Sequence, residues 1–170
     1  MFEALIALAL GAAVVAAAAT GVMFQPGEWY RGLAKPRWTP PNILFPIAWT
    51  LLYAMMAIAA FRVAAGLAGG DLPEGAAPFA MAGLCLWATQ ITLNAMWSPI
   101  FFGARRGKAA LICICALWTA ILGTLICFAG ADAVAAALLV PYLVWATYAG
   151  ALNAAIVRMN PPAAFRAPAD

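Results

Sequence analysis

Five long apolar stretches constrain this chain more than any other feature. They run roughly over Leu5–Phe24, Ile43–Ala65, Phe79–Phe102, Ala109–Ala129 and Val134–Val157. About 20 apolar residues in a helix cross the hydrocarbon core of a bilayer. Alternation of period two is absent, so a barrel is not expected. Helices remain, because they satisfy their own backbone groups in lipid. Composition agrees: 67% of the 170 residues are hydrophobic and 9% charged, against about 25% charged in a soluble domain. The sequence therefore predicts an all-α membrane protein. One five-helix transmembrane domain is expected over residues 1–160, with a short tail over 161–170. That tail begins with Pro161 and Pro162 and is expected to fray. The first stretch is read as a retained helix rather than a signal peptide, because only Glu3 precedes it and a signal needs a positive flank.

The charges sort by side. With five spans, the loop Gln25–Asn42, the loop Gly103–Lys108 and the C-terminus share one face of the membrane. They carry Arg31, Lys35, Arg37, Arg105, Arg106, Lys108, Arg158 and Arg166. The other face has Arg62 alone among the cations, with Glu3, Asp71, Glu74 and Asp132. Loops rich in Lys and Arg stay cytoplasmic. The N-terminus is thus expected outside, and the C-terminus and long first loop inside. This bias accounts for the net charge of +3 without a nucleic-acid partner. Cys85, Cys113, Cys115 and Cys127 all fall inside spans and read as small buried apolar residues. Small residues recur every fourth position at Cys115, Thr119, Gly123 and Cys127, and again at Ala146, Gly150 and Ala154. This spacing suits close helix packing, within the bundle or between two copies.

Conventional catalysis has little to work with. The chain has no histidine, which removes imidazole bases, His metal ligands and an axial histidine for haem. The carboxylates lie near helix ends or in loops, so no embedded charge marks an ion path. Aromatic and amide side chains are left. Trp87, Gln90, Asn94 and Trp97 share one face of the third span. Tyr142, Trp145, Ala149 and Asn153 form a stripe on the fifth, and Trp49, Tyr53 and Met56 on the second. Amides are costly against lipid, so these stripes should face inward. The residues alone leave three readings open: a cavity for a large flat apolar ligand, plain core packing, or a transport path. Trp29, Tyr30 and Trp38 also fit as interfacial anchors.

The first loop stands apart. Between Trp29 and Thr50 it reads WYRGLAKPRWTPPNILFPIAWT, with four prolines, three tryptophans and three basic residues. Proline fixes φ and restricts its predecessor, so this loop is stiff. A plain connector needs only about 2–8 residues. A loop of this length with apolar anchors is expected to fold back as a lid, with Arg31, Lys35 and Arg37 near acidic groups of a ligand.

These residues carry a resemblance. The run WYRGLAKPRWTPPNILFPIAWTLLY, the run NAMWSPIFF at Asn94–Phe102 and the run PYLVWATYAGALN at Pro141–Asn153 resemble the TspO/MBR family. That family comprises the tryptophan-rich sensory proteins and the translocator protein, or peripheral benzodiazepine receptor. The likeness spans residues of about 20 to 160, with matching span count and loop lengths. It implies a five-helix bundle, often a homodimer, whose long first loop closes a cytosolic pocket. It also implies porphyrins, haem, sterols or benzodiazepine-type drugs as ligands and no required cofactor. The role implied is a sensor or regulator, with light-dependent breakdown of protoporphyrin IX or transport as alternatives.

Residue by residue, the resemblance assigns Tyr30 and Trp38 to the pocket from the loop. It matches Trp49 and Trp145 to the tryptophans tied to porphyrin breakdown. Asn94 matches the family's asparagine of the third span, and Ala149 the alanine that lies against ligand. The inward stripes add Tyr53, Trp97 and Tyr142. No metal ligand is expected. Two departures stand out. Ala154 occupies the tyrosine position of the sterol pattern found in mammalian members, so sterol binding through that pattern is not expected. Arg37 takes the first place of the family's frequent WW pair.

Overall fold

The computed structural model describes residues 1–165. Among these residues, five helices are long and apolar enough to cross a membrane. The first is α1 (Phe2–Met23), and a short α2 (Glu28–Gly32) follows it inside the first loop. The others are α3 (Leu44–Gly69), α4 (Ala77–Ser98), α5 (Gly107–Ala129) and α6 (Ala133–Met159). No strand occurs among the described residues. Around the bundle, α1 packs on α3 and α4, α4 on α5, α5 on α6, and α6 returns to α3.

Local chemistry sets the helix ends. α3 stops at Gly70, whose φ of 75° is a left-handed conformation that glycine adopts without a Cβ penalty. α6 starts at Asp132, whose Oδ1 accepts from the backbone N–H groups of Val134 (2.8 Å) and Ala135 (3.0 Å). That carboxylate satisfies donors that a helix start leaves free. Its Oδ2 also pairs with Arg62 Nε at 2.9 Å, which ties α3 to α6 at the end away from the first loop. After α4 the backbone widens into a π-helical turn over Pro99–Gly103. Pro99 has no N–H to continue the α pattern. Its carbonyl accepts from Ala104 at 2.8 Å instead. The wider turn buries Phe101 almost completely.

Two expectations about packing change. Gly123 and Cys127 lie where α4 and α5 approach, but Cys115 and Thr119 are exposed on the outer face. A Cβ on Gly83 of α4 would fall 2.6 Å from Phe128 Cδ1 and 3.1 Å from Cys127 Cβ. The close approach therefore uses a glycine of the opposite helix together with Gly123 of the repeating pattern, whose Cβ would lie 3.0 Å from Leu86 Cδ1. Of the cysteines, only Cys113 is buried, and Cys85 and Cys115 face outward. Outward cysteine costs nothing against lipid, because the thiol is nearly apolar.

The tail differs as well. Pro162–Phe165 forms a 3₁₀ turn, and Phe165 packs on Gly107, where a Cβ would lie 2.5 Å from its ring. Glycine there makes the seat, and the described part of the tail, up to Phe165, is held by it where fraying was expected. Arg166 lies outside the described residues.

Candidate functional site

The first loop is tied down along its length. Trp29 Nε1 donates to the Ala164 carbonyl at 2.7 Å, and the indole meets Phe101 and Phe165 edge-on. Asn160, just past the end of α6, pairs with the Ala34 backbone twice. Its Oδ1 accepts from Ala34 N–H and its Nδ2 donates to Ala34 O, both at 2.9 Å. Further along, the Tyr148 hydroxyl donates to the Trp38 carbonyl at 2.7 Å. The loop is thus a fixed strap over the α4 and α6 ends.

Two of the basic residues of the strap have local partners. Lys35 Nζ donates to the carbonyls of Tyr30 (2.7 Å), Leu33 (2.8 Å) and Arg31 (3.2 Å). It caps carbonyls at the end of α2, as cations do at helix C-termini. Arg31 pairs with Glu28. Arg37 is exposed and makes no ion pair among the described residues. All three carbonyls are within reach of one lysine arm.

The sequence-predicted residues separate into two layers. Tyr30 lies buried in the strap layer, edge-on to Phe101 at 6.2 Å and Phe102 at 5.4 Å. Burial pushes its hydroxyl above the ordinary tyrosine value, and the Tyr148 hydroxyl adds to this. Trp97 joins the same layer, stacked on Phe101 at 5.1 Å, with its Nε1 donating to Asn153 Oδ1 at 3.3 Å. Trp38 is half exposed and packs edge-on against Tyr148.

The inner layer holds the rest. Trp49 lies 5.2 Å from Tyr53, 6.2 Å from Tyr142 and 6.4 Å from Trp145, ring centre to ring centre. The Tyr53 hydroxyl donates to Asn94 Oδ1 at 2.7 Å, and Asn94 Nδ2 donates to the Tyr142 hydroxyl at 2.9 Å. One amide therefore joins α3, α4 and α6. Ala149 packs half-buried beside this core.

Between α3 and α6 an open groove of ≈ 410 Å³ runs along the outer face, lined by Leu51, Met55, Pro141, Val144, Trp145 and Tyr148 among others. Trp145 stands between this groove and the inner layer. Among the described residues no Asp, Glu, Lys or Arg lines either, so the site offers ring faces, phenol hydroxyls and neutral hydrogen bonds. No group of three residues suited to a metal occurs among the described residues.

Phe45, Phe101, Phe102, Tyr148 and Asn160 contribute without having been singled out. Tyr148 was legible, since it lies one turn after Trp145 on the same helix. Asn160 was not, because its partner is 126 residues away.

The sequence model of the TspO/MBR family matches residues 4–159. The chain belongs to the TspO/MBR family. It is 44% identical over 149 residues to protein CrtK of Rhodobacter capsulatus, covering 88% of this chain and 89% of that one. It is 40% identical to the tryptophan-rich sensory protein of Cereibacter sphaeroides, over 88% and 87% of the two chains. To the human translocator protein it is 36% identical, over 82% and 81%. As a TspO/MBR protein with five apolar helices, it is an integral multi-pass membrane protein.

Proposed function

We propose that this protein binds tetrapyrroles, such as protoporphyrin IX and haem, and related large apolar ligands between α3, α4 and α6, as a membrane-embedded sensor or regulator. The observation that carries the reading is the inner layer. Two phenols share one asparagine and two indoles pack beside them, under a strap tied to α6. Flat ring systems stack on such faces, and pockets for apolar molecules pair such walls with a few placed polar groups. With no histidine in the chain, iron gains no imidazole ligand. Recognition rests on the macrocycle, so protoporphyrin IX and haem should bind alike.

Light-dependent porphyrin breakdown is a second reading. It draws support from Trp49 and Trp145, two oxidisable indoles 6.4 Å apart. The strap end carries Arg31, Lys35, Arg37, Arg105, Arg106, Lys108 and Arg158. That bias supports a cytoplasmic strap and C-terminus with the N-terminus outside. A second copy of the chain is the expected partner, tested by mass measurement of the protein in nanodiscs.

Titration of purified protein with protoporphyrin IX, followed by tryptophan quenching in the dark and then in light, tests the function. Trp49→Phe and Trp145→Phe run in parallel. Saturable dark binding without porphyrin loss supports the sensor. Light-dependent loss that vanishes in both variants supports the degradative reading. No saturable quenching at micromolar porphyrin refutes the tetrapyrrole assignment.

A further inference from the structure

Gln90 lies on the inward face of α4 and is 1% exposed. Neither its amide nitrogen nor its carbonyl oxygen has a hydrogen-bond partner among the described residues. Its neighbours on that face are satisfied. Trp87, one turn before, donates from Nε1 to the Met56 carbonyl at 3.1 Å. Asn94, one turn after, accepts from Tyr53 and donates to Tyr142. Buried polar side chains are nearly always paired, and inside a bilayer the surrounding lipid offers no substitute. Core packing explains Trp87 but not Gln90. A leucine would fill comparable space without an unpaired donor and acceptor.

An amide presents a donor and an acceptor side by side. Its complement carries an acceptor and a donor at the same spacing, as an un-ionised carboxylic acid does. Desolvation favours that neutral form, since burial raises the pKa of an acid. We propose that Gln90 is the inner polar contact of the ligand, pairing through two hydrogen bonds with an un-ionised carboxyl group on an otherwise apolar molecule. This rests on the reading of the bundle interior as a ligand site, and it states what the ligand carries at its buried end. It also explains why the site tolerates an amide that the unliganded bundle leaves unpaired.

The test compares protoporphyrin IX, which bears two propionic acids, with its dimethyl ester. Binding of both is measured to the full chain in nanodiscs, for the wild type, Gln90→Leu, Gln90→Met and Trp145→Phe. Differences in probe solubility cancel in the acid-to-ester ratio between variants. The expected result is a loss of about tenfold in affinity for the free acid in both Gln90 variants. Ester affinity should stay within about twofold, and Trp145→Phe should weaken both probes. Unliganded Gln90→Leu or Gln90→Met should melt no lower than the wild type, because an unpaired amide has been removed. Equal loss of acid and ester, or no loss of acid, overturns the proposal while porphyrin binding itself stands. Lower melting of both unliganded Gln90 variants also overturns it, by showing that internal water already satisfies the amide. If neither probe binds the wild type, the tetrapyrrole reading fails and this proposal with it.

Discussion

Asn160→Ala should loosen the strap without disturbing the bundle. The wild-type side chain makes two bonds to the Ala34 backbone, both at 2.9 Å, and a third to the Ile156 carbonyl at 2.8 Å. A typical hydrogen bond contributes about 0.5–1.5 kcal/mol net. Ala34 is exposed, so water competes and the lower half of that range applies. The two strap bonds together are then worth about 1–2 kcal/mol, which is a factor of about 5 to 30 in the open population. Trp29 on Ala164 and Tyr148 on Trp38 hold the strap on either side, so opening should stay local. Hydrogen exchange in nanodiscs reads this directly. Exchange at the Ala34 amide should quicken by that factor, while amides within α4 and α5 keep their rates. Asn160→Asp retains an acceptor for Ala34 N–H but loses the donor to Ala34 O, so its effect should be intermediate. Unchanged protection at Ala34 in Asn160→Ala would refute the view that Asn160 fastens the strap.

Other residues give equally direct checks. Gly83→Ala should cost about 1–3 kcal/mol, because its Cβ would meet the Phe128 ring at 2.6 Å and Phe128 is fully buried; thermal unfolding in detergent should show the drop. Asp132→Ala should cost about 0.5–2 kcal/mol through the lost cap, and Asp132→Asn, which keeps an acceptor for Val134 and Ala135, should cost less in the same assay. The Tyr30 hydroxyl titrates above its ordinary value of 10.0 because the neutral form is the one buried. Its contribution is therefore complete below that value and is lost as pH rises through the higher folded value; strap proteolysis should accelerate there, and Tyr30→Phe should remove that step.

The helices and their inward faces were legible because both depend on local rules. Twenty apolar residues in lipid have few options besides a helix, and a period of 3.6 puts Asn94 on the same face as Trp87 whatever surrounds them. The same logic placed Tyr142 and Trp49 inside. It did not reach the local partners of Lys35, three carbonyls of its own loop. It failed for the tail, since proline after a helix says nothing of the seat that Gly107 provides for Phe165.

What only the tertiary structure decided is which stripes meet. Periodicity brings Asn94 inward, but it does not say that one amide reaches Tyr53 and Tyr142 at once. It does not divide the aromatics into a strap layer with Tyr30 and an inner layer with Trp49 and Trp145, with Trp97 packed against both. Nor does it leave Gln90 unpaired beside a satisfied neighbour. Face and length are properties of a single helix, fixed by 1.5 Å of rise and 100° of turn per residue, about the same everywhere. Partnership is set by helix order and axial offset, and those come from contacts such as Gly83 on Phe128 or Arg62 on Asp132 between residues far apart in the chain.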